Sequence, residues 1–526
     1  MRLLRLFLFL LVCCYSSQII VAEIVTADIA IVGGTPAGIA AAISARRAGA
    51  ERVVIVEPFK HVGGRMSETL GFGEENRMAR STLGGHWEEL KQRVNKKYGY
   101  KTLAPEPHVM EEVFDQWLGE AGVIVLNSFQ TVRAVKKNLH IQKLIAGDGR
   151  EVTATVFIDA TYAGDLLPLA GISWTIGRES RTQYNESLAG VVLKLKNPPG
   201  KIVEPIYRLP VSGFEPDGKT LLAHVHGFTT DVVEGAGDRH LQCFNMYACF
   251  TSDPQRRIIL HKPEGYNPNE FEILRREVIR NRGKATLGFG RGIPNDKAMI
   301  NDGVPRLMHW GLAGGSDDYP AASVEQRKVI WKSHVDYTRR LIWFIQNDPC
   351  IIESQRKYFQ TWGLCKDEFV DSGHWPRDVY IREGMRMVGD YVMTQADVFE
   401  KTSKKDSVAM GSFPVDSHVV QRLASPDGKE IVNEGGFLVE TPVYQIPYRA
   451  FLPQSKECKN LIVPIAMSCS RVAFNSLRVE PTWMATGQAS GVAGALAVKL
   501  KQDVQDVPAK SIQSILRKTG LPIDQE

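Results

Sequence analysis

Apolar and polar positions along the chain first fall into a regular pattern between residues 28 and 58. Ile29 to Val32 is a short apolar run, Gly33, Gly34 and Gly38 crowd a turn, and Ala40 to Ala48 places small residues at helical spacing. Val53 to Val56 is a second apolar run that ends at Glu57. Continuous apolar runs bounded by turn residues predict buried strands, so the order strand, turn, helix, strand predicts a β-α-β unit. Pro36 falls where the first helical residue is expected, a position that tolerates its missing N–H. Val123 to Leu126, Val132 to Val135 and Ala154 to Ile158 predict further strands, and Leu461 to Ala466 a late one. Glu325 to Asn347 reads as a long amphipathic helix with Trp331, Tyr337, Leu341 and Phe344 on its buried stripe. A helix rich in Ala and Gly runs from Pro481 to about Leu500, whereas residues 254–306 are polar and predict loops.

The proportions are globular: 526 residues, 44% hydrophobic and 23% charged. They exclude a disordered tail, a collagenous fibre and a disulfide-dense miniprotein. A net charge of +5 on so long a chain makes no case for nucleic acid as a partner. Residues 1–22 have the layout of a signal peptide: Arg2 and Arg5, then apolar Leu6 to Cys14, then small Ala22 before the cut. The apolar run breaks at Tyr15 and is shorter than the ~20 residues of a membrane span. The mature chain is therefore expected to start at residue 23 and to be secreted, or held in the lumen of the secretory pathway. It would keep Cys243, Cys249, Cys350, Cys365, Cys458 and Cys469, which permits disulfides. None has zinc-type spacing, and no metal site is predicted. Asn185-Glu186-Ser187 is a glycosylation acceptor, expected to be exposed.

The glycine turn carries the strongest chemical signal. Gly33, Gly34, Thr35, Pro36, Ala37 and Gly38 would offer backbone N–H groups and a helix N-terminus to a pyrophosphate. Glu57, 19 residues after Gly38, is placed to accept hydrogen bonds from a ribose diol. Thr35 replaces the usual middle glycine, so its side chain must turn away from the pyrophosphate or donate to it. A second pair, Gly63-Gly64, follows at once and favours FAD over a nicotinamide cofactor. No second dinucleotide fingerprint appears in residues 172–435, which argues against a separate NAD(P)-binding domain.

With these blocks, the chain resembles the secreted FAD-dependent oxidoreductase family, some of whose bacterial members carry a xanthan-lyase-related label. The resemblance rests on GGTPAG at 33–38, HVGGRM at 61–66, FIDATYAGDLLPLAG at 157–171, the stretch 362–391, IPYRAFLP at 446–453 and SLRVEPTWMATGQASGVAGALA at 476–497. It implies an α/β fold: a Rossmann-like FAD-binding domain of glutathione-reductase type, formed by residues 23–171 and 436–526. An inserted α+β substrate domain spans 172–435. It implies FAD contacts at Gly64, Arg65, Met66, Val132, Thr161 and Gly487, and redox chemistry on a small organic or sugar-like substrate. Many flavoproteins place an aspartate after the late strand to bind a ribitol hydroxyl; here Ser468 or Ser470 would have to serve.

Hydride transfer to flavin N5 leaves negative charge on the ring and asks for a base near the substrate. The candidates are Arg382, with Glu383 and Arg386 as an ion pair if that segment is helical; His418 beside Asp416; and Arg471 and Arg478 beside Glu480. Family members often have histidine where Arg471 stands. His86 is a further candidate for covalent attachment or base work, against packing or capping, and Lys297 and Asn301 for lining the cleft. Asp159 and Asp165 read equally as turn residues. A flavin fold kept for binding without turnover is the alternative reading, and a polysaccharide lyase a weaker third.

Overall fold

In the computed structural model, the described residues are 24–301 and 306–524. The expected signal peptide lies outside them. β1 (Ile24–Val32), α1 (Pro36–Arg47) and β2 (Val53–Val56) form the expected β-α-β unit. α2 (His86–Tyr98) and α3 (Pro107–Glu120) follow, then β3 (Ile124–Leu126), β4 (Thr131–Lys137), β5 (His140–Ala146) and β6 (Glu151–Asp159). The sheet order is β3-β2-β1-β6-β5-β4, and the short strand Leu461–Ile462 also pairs with β6. Strands β3, β2, β1 and β6 are parallel, while β4 and β5 form an antiparallel meander at the start of β6.

Register places the site. Val32 lies opposite Val56 on one side and Asp159 on the other. The turns after β1, β2 and β6 therefore leave the sheet at one edge, which brings Gly33, Glu57 and Thr161 together although they are far apart in sequence. The carboxyl edge of a parallel sheet is where such folds bind ligands.

The helix Glu480–Leu500 is buried from Glu480 to Ala497 and packs on α1. A Cβ built on Gly487 would stand 2.2 Å from the Ala37 carbonyl oxygen, and one on Gly491 2.0 Å from that of Ala41. These glycines let two backbones touch. Gly487 is thus a packing residue beneath the turn, in place of the expected cofactor contact. Gly491→Val should cost about 3 kcal/mol, since backbone on both sides has to move; thermal unfolding of the flavin-loaded protein measures it.

The middle of the chain holds a five-stranded sheet ordered Arg257–Ile258, Gly363–Cys365, Cys249–Thr251, Lys297–Met299, Gly290–Ile293. Three of those strands and the helix Glu272–Arg280 occupy the stretch read as loop, because Ile273, Leu274 and Val278 give the helix a buried face. The long helix is observed as Val324–Asn347, opened by a capping box of Ser323 and Gln326. Tyr337, Leu341 and Phe344 are buried as expected. Trp331 instead borders a cleft and donates to the Pro376 carbonyl at 2.8 Å. Among the described residues, no helix is long and apolar enough to cross a membrane.

Candidate functional site

A cleft of about 500 Å³ opens at the carboxyl edge of the sheet, lined by Gly33, Thr35, Glu57, Gly64, Arg65 and Thr161 among others. Its floor is the glycine turn. Gly33 has φ +98°, and a Cβ there would lie 2.9 Å from the Ala160 carbonyl oxygen. The Gly34 N–H donates to Glu57 Oε2 at 2.6 Å and the Phe59 N–H to Oε1 at 2.9 Å, fixing the carboxylate in the cleft wall. Burial pushes the Glu57 carboxyl up to about 7, against the pull of these two N–H groups.

Thr35 resolves its own ambiguity. Its hydroxyl donates to the Ala160 carbonyl at 2.8 Å and accepts from the Gly38 N–H at 3.2 Å, capping α1. The side chain is turned into the protein, and the path over the turn stays clear. Pro36 has no N–H and the Gly38 N–H is used, so the Ala37 N–H is left among the first-turn donors that an α-helix cannot satisfy internally. An oxygen-rich diphosphate fits this donor set, and a ribose diol fits Glu57.

Beyond the turn, the loop after Gly63 closes over the cleft. Gly64 has φ +48°, and a Cβ there would come within 2.4 Å of the Tyr162 hydroxyl. Tyr162 accepts from the Arg65 N–H at 3.0 Å and donates to Glu480 Oε1 at 2.5 Å, at the start of the helix Glu480–Leu500. The Arg65 guanidinium is paired with Glu68 and lies 3.7 Å from Asp378; although burial opposes it, these two acids keep it charged. Met66 is fully buried beneath this loop.

A second pocket, about 250 Å³, lies at the N-terminus of that same helix and is lined by Val479 and Arg478. Glu74, Tyr247, Tyr380, Asn301, Asp416 and His418 complete its polar wall. Asp416 sits between two partners: Oδ2 is 3.1 Å from Arg478 Nη2 and Oδ1 is 3.6 Å from His418 Nε2. Burial works to raise the Asp416 carboxyl, but His418 and Arg478 hold it well below the usual carboxylate range. Burial, then the nearby Arg382 charge, push His418 below the ordinary histidine range. It is therefore a neutral imidazole at pH 7, and its buried Nδ1 has no hydrogen-bond partner among the described residues. A neutral ring with an unpartnered nitrogen is equipped to take a proton.

Two buried carboxyls stand between the cavities. The Glu480 N–H donates to Glu74 Oε2 at 2.8 Å. Burial pushes Glu74 up to about 7; burial, then the neighbouring Glu74, push Glu480 up to about 8. For Glu480 the folded value lies above the unfolded one, so the folded chain holds the extra proton. That stability is present below about pH 4.5 and is lost as pH rises to about 8. The flavin-free wild type should lose on the order of 4 kcal/mol relative to Glu480→Gln across that window. Denaturant unfolding of both chains at several pH values reads the difference.

Other sequence candidates sit elsewhere. Arg382 lies behind the second pocket: Nη1 donates to the Cys243 carbonyl at 2.5 Å and the guanidinium lies 4.9 Å from the Tyr380 ring centre. Arg471 is buried in a framework, donating to Glu383 at 2.8 Å and to Ser417 at 3.3 Å. Neither lines either cavity. The expected Glu383–Arg386 pair does not form, because Arg386–Met387 is a short strand and Arg386 pairs with Glu179 at 2.7 Å. Ser468 accepts from the Gly389 N–H, and Ser470 caps the helix Arg471–Leu477 while donating to Glu186 at 2.5 Å, so both hydroxyls are engaged within the protein. Val132 is 50% exposed on β4, and the cleft is lined instead by Gln130. Asp159 accepts from Thr161 and Leu166 as a turn residue. Asp165 borders the cleft and pairs with Arg327 at 2.6 Å.

His86 is walled off. Its Nε2 meets Ser44 Oγ at 2.7 Å and its ring packs edge-on to Trp117. It borders neither cavity. Acid precipitation should accordingly release the flavin into the supernatant, leaving a colourless pellet. Lys297 is also spent, its Nζ lying within 2.7 Å of Glu106, Asp367 and Glu368.

Sequence reasoning missed Tyr162, Glu74, Tyr247, Tyr319 and Asp378. Tyr162 and Asp378 fell within stretches already singled out, 157–171 and 362–391, without being picked from them.

The FAD dependent oxidoreductase family model matches residues 28–516. The chain belongs to that family. It is an FAD-dependent oxidoreductase, and FAD is its cofactor. Among solved structures it is similar to Thermovibrio ammonificans THI4, at 21% identity and TM-score 0.22, over 29% of this chain and 66% of that one. It is similar also to a flavin-containing monooxygenase from Stenotrophomonas maltophilia, at 19% and 0.20, over 30% and 42% of the two chains. L-proline dehydrogenase from P. horikoshii matches at 14% and 0.23, over 30% and 59%. The chain thus spans about two thirds or less of these structures. No curated protein matches it.

Proposed function

We propose that the protein is an exported oxidoreductase of glutathione-reductase type that oxidises a small polyhydroxylated substrate, with residues 172–435 supplying the substrate domain. The supporting observation is the second pocket, where His418, with a buried and unpartnered imidazole nitrogen, stands among paired charges at the N-terminus of the helix Glu480–Leu500. Arg478 donates to the Asp416 carbonyl through both Nε and Nη2, and Arg77 lies 3.4 Å from Glu204. Both arginines of the pocket are thus engaged with acids of the same pocket, which favours an uncharged substrate over a carboxylate. Hydroxyl groups suit the polar side chains of Glu74, Tyr247, Tyr380 and Asn301 that line it.

FAD, when bound, supplies the hydride acceptor at N5. The protein's part is to orient the substrate and move its proton. His418 takes the hydroxyl proton at Nδ1, and Asp416 stabilises the imidazolium that results. Tyr247 and Tyr380, edge to face with ring centres 4.6 Å apart, form an apolar wall for a sugar-like ring. With FAD bound, the Ala37 N–H would meet the diphosphate as it crosses the turn at Gly33, Gly34 and Gly38, Glu57 would hold the ribose, and Gly64, Arg65 and Thr161 would border the flavin end.

Export rests on residues 1–22, and the exposed Asn185 is available for glycosylation. The test is anaerobic mixing of the FAD-loaded protein with a panel of aldoses, polyols, 2-hydroxy acids and amines. Bleaching of the flavin by aldoses or polyols alone supports the proposal; bleaching only by acids or amines contradicts it.

A further inference from the structure

Cys249 and Cys365 lie in neighbouring strands of the five-stranded sheet. Cys249–Thr251 and Gly363–Cys365 are antiparallel, with Phe250 opposite Leu364 and Thr251 opposite Gly363. Continuing that register by one residue sets Cys249 opposite Cys365. Their side chains point to the same side of the sheet, and the two sulfurs are in contact at 3.4 Å. Both are buried, packed with Ile293 and Phe369.

We propose that Cys249 and Cys365 form a disulfide in the mature protein, fastening the wall of the substrate pocket to the strand behind it. On its other edge, Cys249 pairs with Met299, and Met299 and Tyr247 both line the second pocket. A bond at Cys249 therefore holds the strand that directly follows Tyr247 and pairs with Met299. Directly opposite residues of antiparallel strands have Cα atoms about 4.5–5.5 Å apart, within the range a disulfide spans.

The chemistry needs an oxidant, and a low-molecular-weight disulfide such as oxidised glutathione serves. One cysteine thiolate attacks it and expels one glutathione thiolate. The second cysteine then attacks the mixed disulfide and expels the bound glutathione as a second thiolate. Two protons leave the protein, the cysteines lose two electrons and the glutathione disulfide gains them. In the folded protein, burial and the facing sulfur of Cys365 push the Cys249 thiol well above its ordinary range. The reaction must therefore run while the sheet is still forming, and the finished bond is shielded from reductants. This oxidising environment rests on the export reading.

The experiment uses the full chain expressed through a eukaryotic secretory pathway, alkylated in denaturant and digested without reduction. The expected product is a peptide pair joined through Cys249 and Cys365 and lighter by two hydrogen atoms. Complete alkylation of both residues, or their linkage to other cysteines, would overturn the proposal. If the chain is retained in the cytosol, the export reading fails, and the bridge is then read on the same chain refolded with FAD and a glutathione redox couple. There the joined pair supports the proposal, and two alkylated cysteines overturn it.

Discussion

Gly38→Ala will lower FAD affinity at least 100-fold, or about 3 kcal/mol. A Cβ at residue 38 would stand 2.0 Å from the Gly33 carbonyl oxygen and 3.3 Å from the Ala160 side chain. The first obstacle is backbone, so the turn has to open. Opening it displaces Gly33 and Gly34, and with them the hydrogen bond from the Gly34 N–H that positions Glu57. It also strains the Thr35 cap, since the Gly38 N–H is the group that Thr35 accepts. Gly119→Ala on α3 is the control, because nothing lies within 4 Å of the added carbon. Flavin absorbance per polypeptide reads the loss, and far-ultraviolet circular dichroism confirms that both variants fold. Equal FAD binding by the two variants would show that the turn is not the diphosphate site.

His418→Asn should slow reduction of the flavin by substrate by roughly 10²–10⁴-fold, the usual contribution of a general base. FAD binding should be unchanged, because His418 lines the second pocket and not the cleft. In the wild type, the rate should hold through neutral pH. It should fall only below the ordinary histidine range, because burial and Arg382 keep the imidazole neutral. Stopped-flow reduction across pH, with a substrate identified from the panel, tests both statements. An undiminished rate would remove His418 from the chemistry, and a fall centred above pH 7 would contradict the neutral imidazole.

The sequence made the cofactor half of the site readable because its signals are local. Gly33, Gly34, Gly38 and Glu57 belong to one β-α-β unit, where each residue's role follows from its neighbours. The meander strand His140–Ala146 gave no comparable run, its apolar residues being broken by Gln142 and Lys143. The substrate pocket was less readable. It draws Glu74, Tyr247, Tyr380, His418 and Arg478 from separated segments, several of them strands of two or three residues or loops. His418 and Arg478 were found by their chemistry, but Arg382 and Arg471 were found by the same reasoning and lie in buried frameworks. A buried arginine bound to a carbonyl or a glutamate and one facing a cavity look alike in a sequence. Only the partners separate them, and the partners are remote: Cys243 for Arg382, Glu383 and Ser417 for Arg471. Gly487 shows the same limit, since a glycine beneath a turn and one beside a cofactor are both spaces where a side chain would not fit.

The visible spectrum of the purified protein, before and after addition of FAD, tests the central claim most directly. The predicted result is oxidised-flavin absorbance near ~370 and ~450 nm. It should approach one FAD per chain and pass into the supernatant on acid precipitation. A folded, colourless protein that takes up no added FAD would contradict the account.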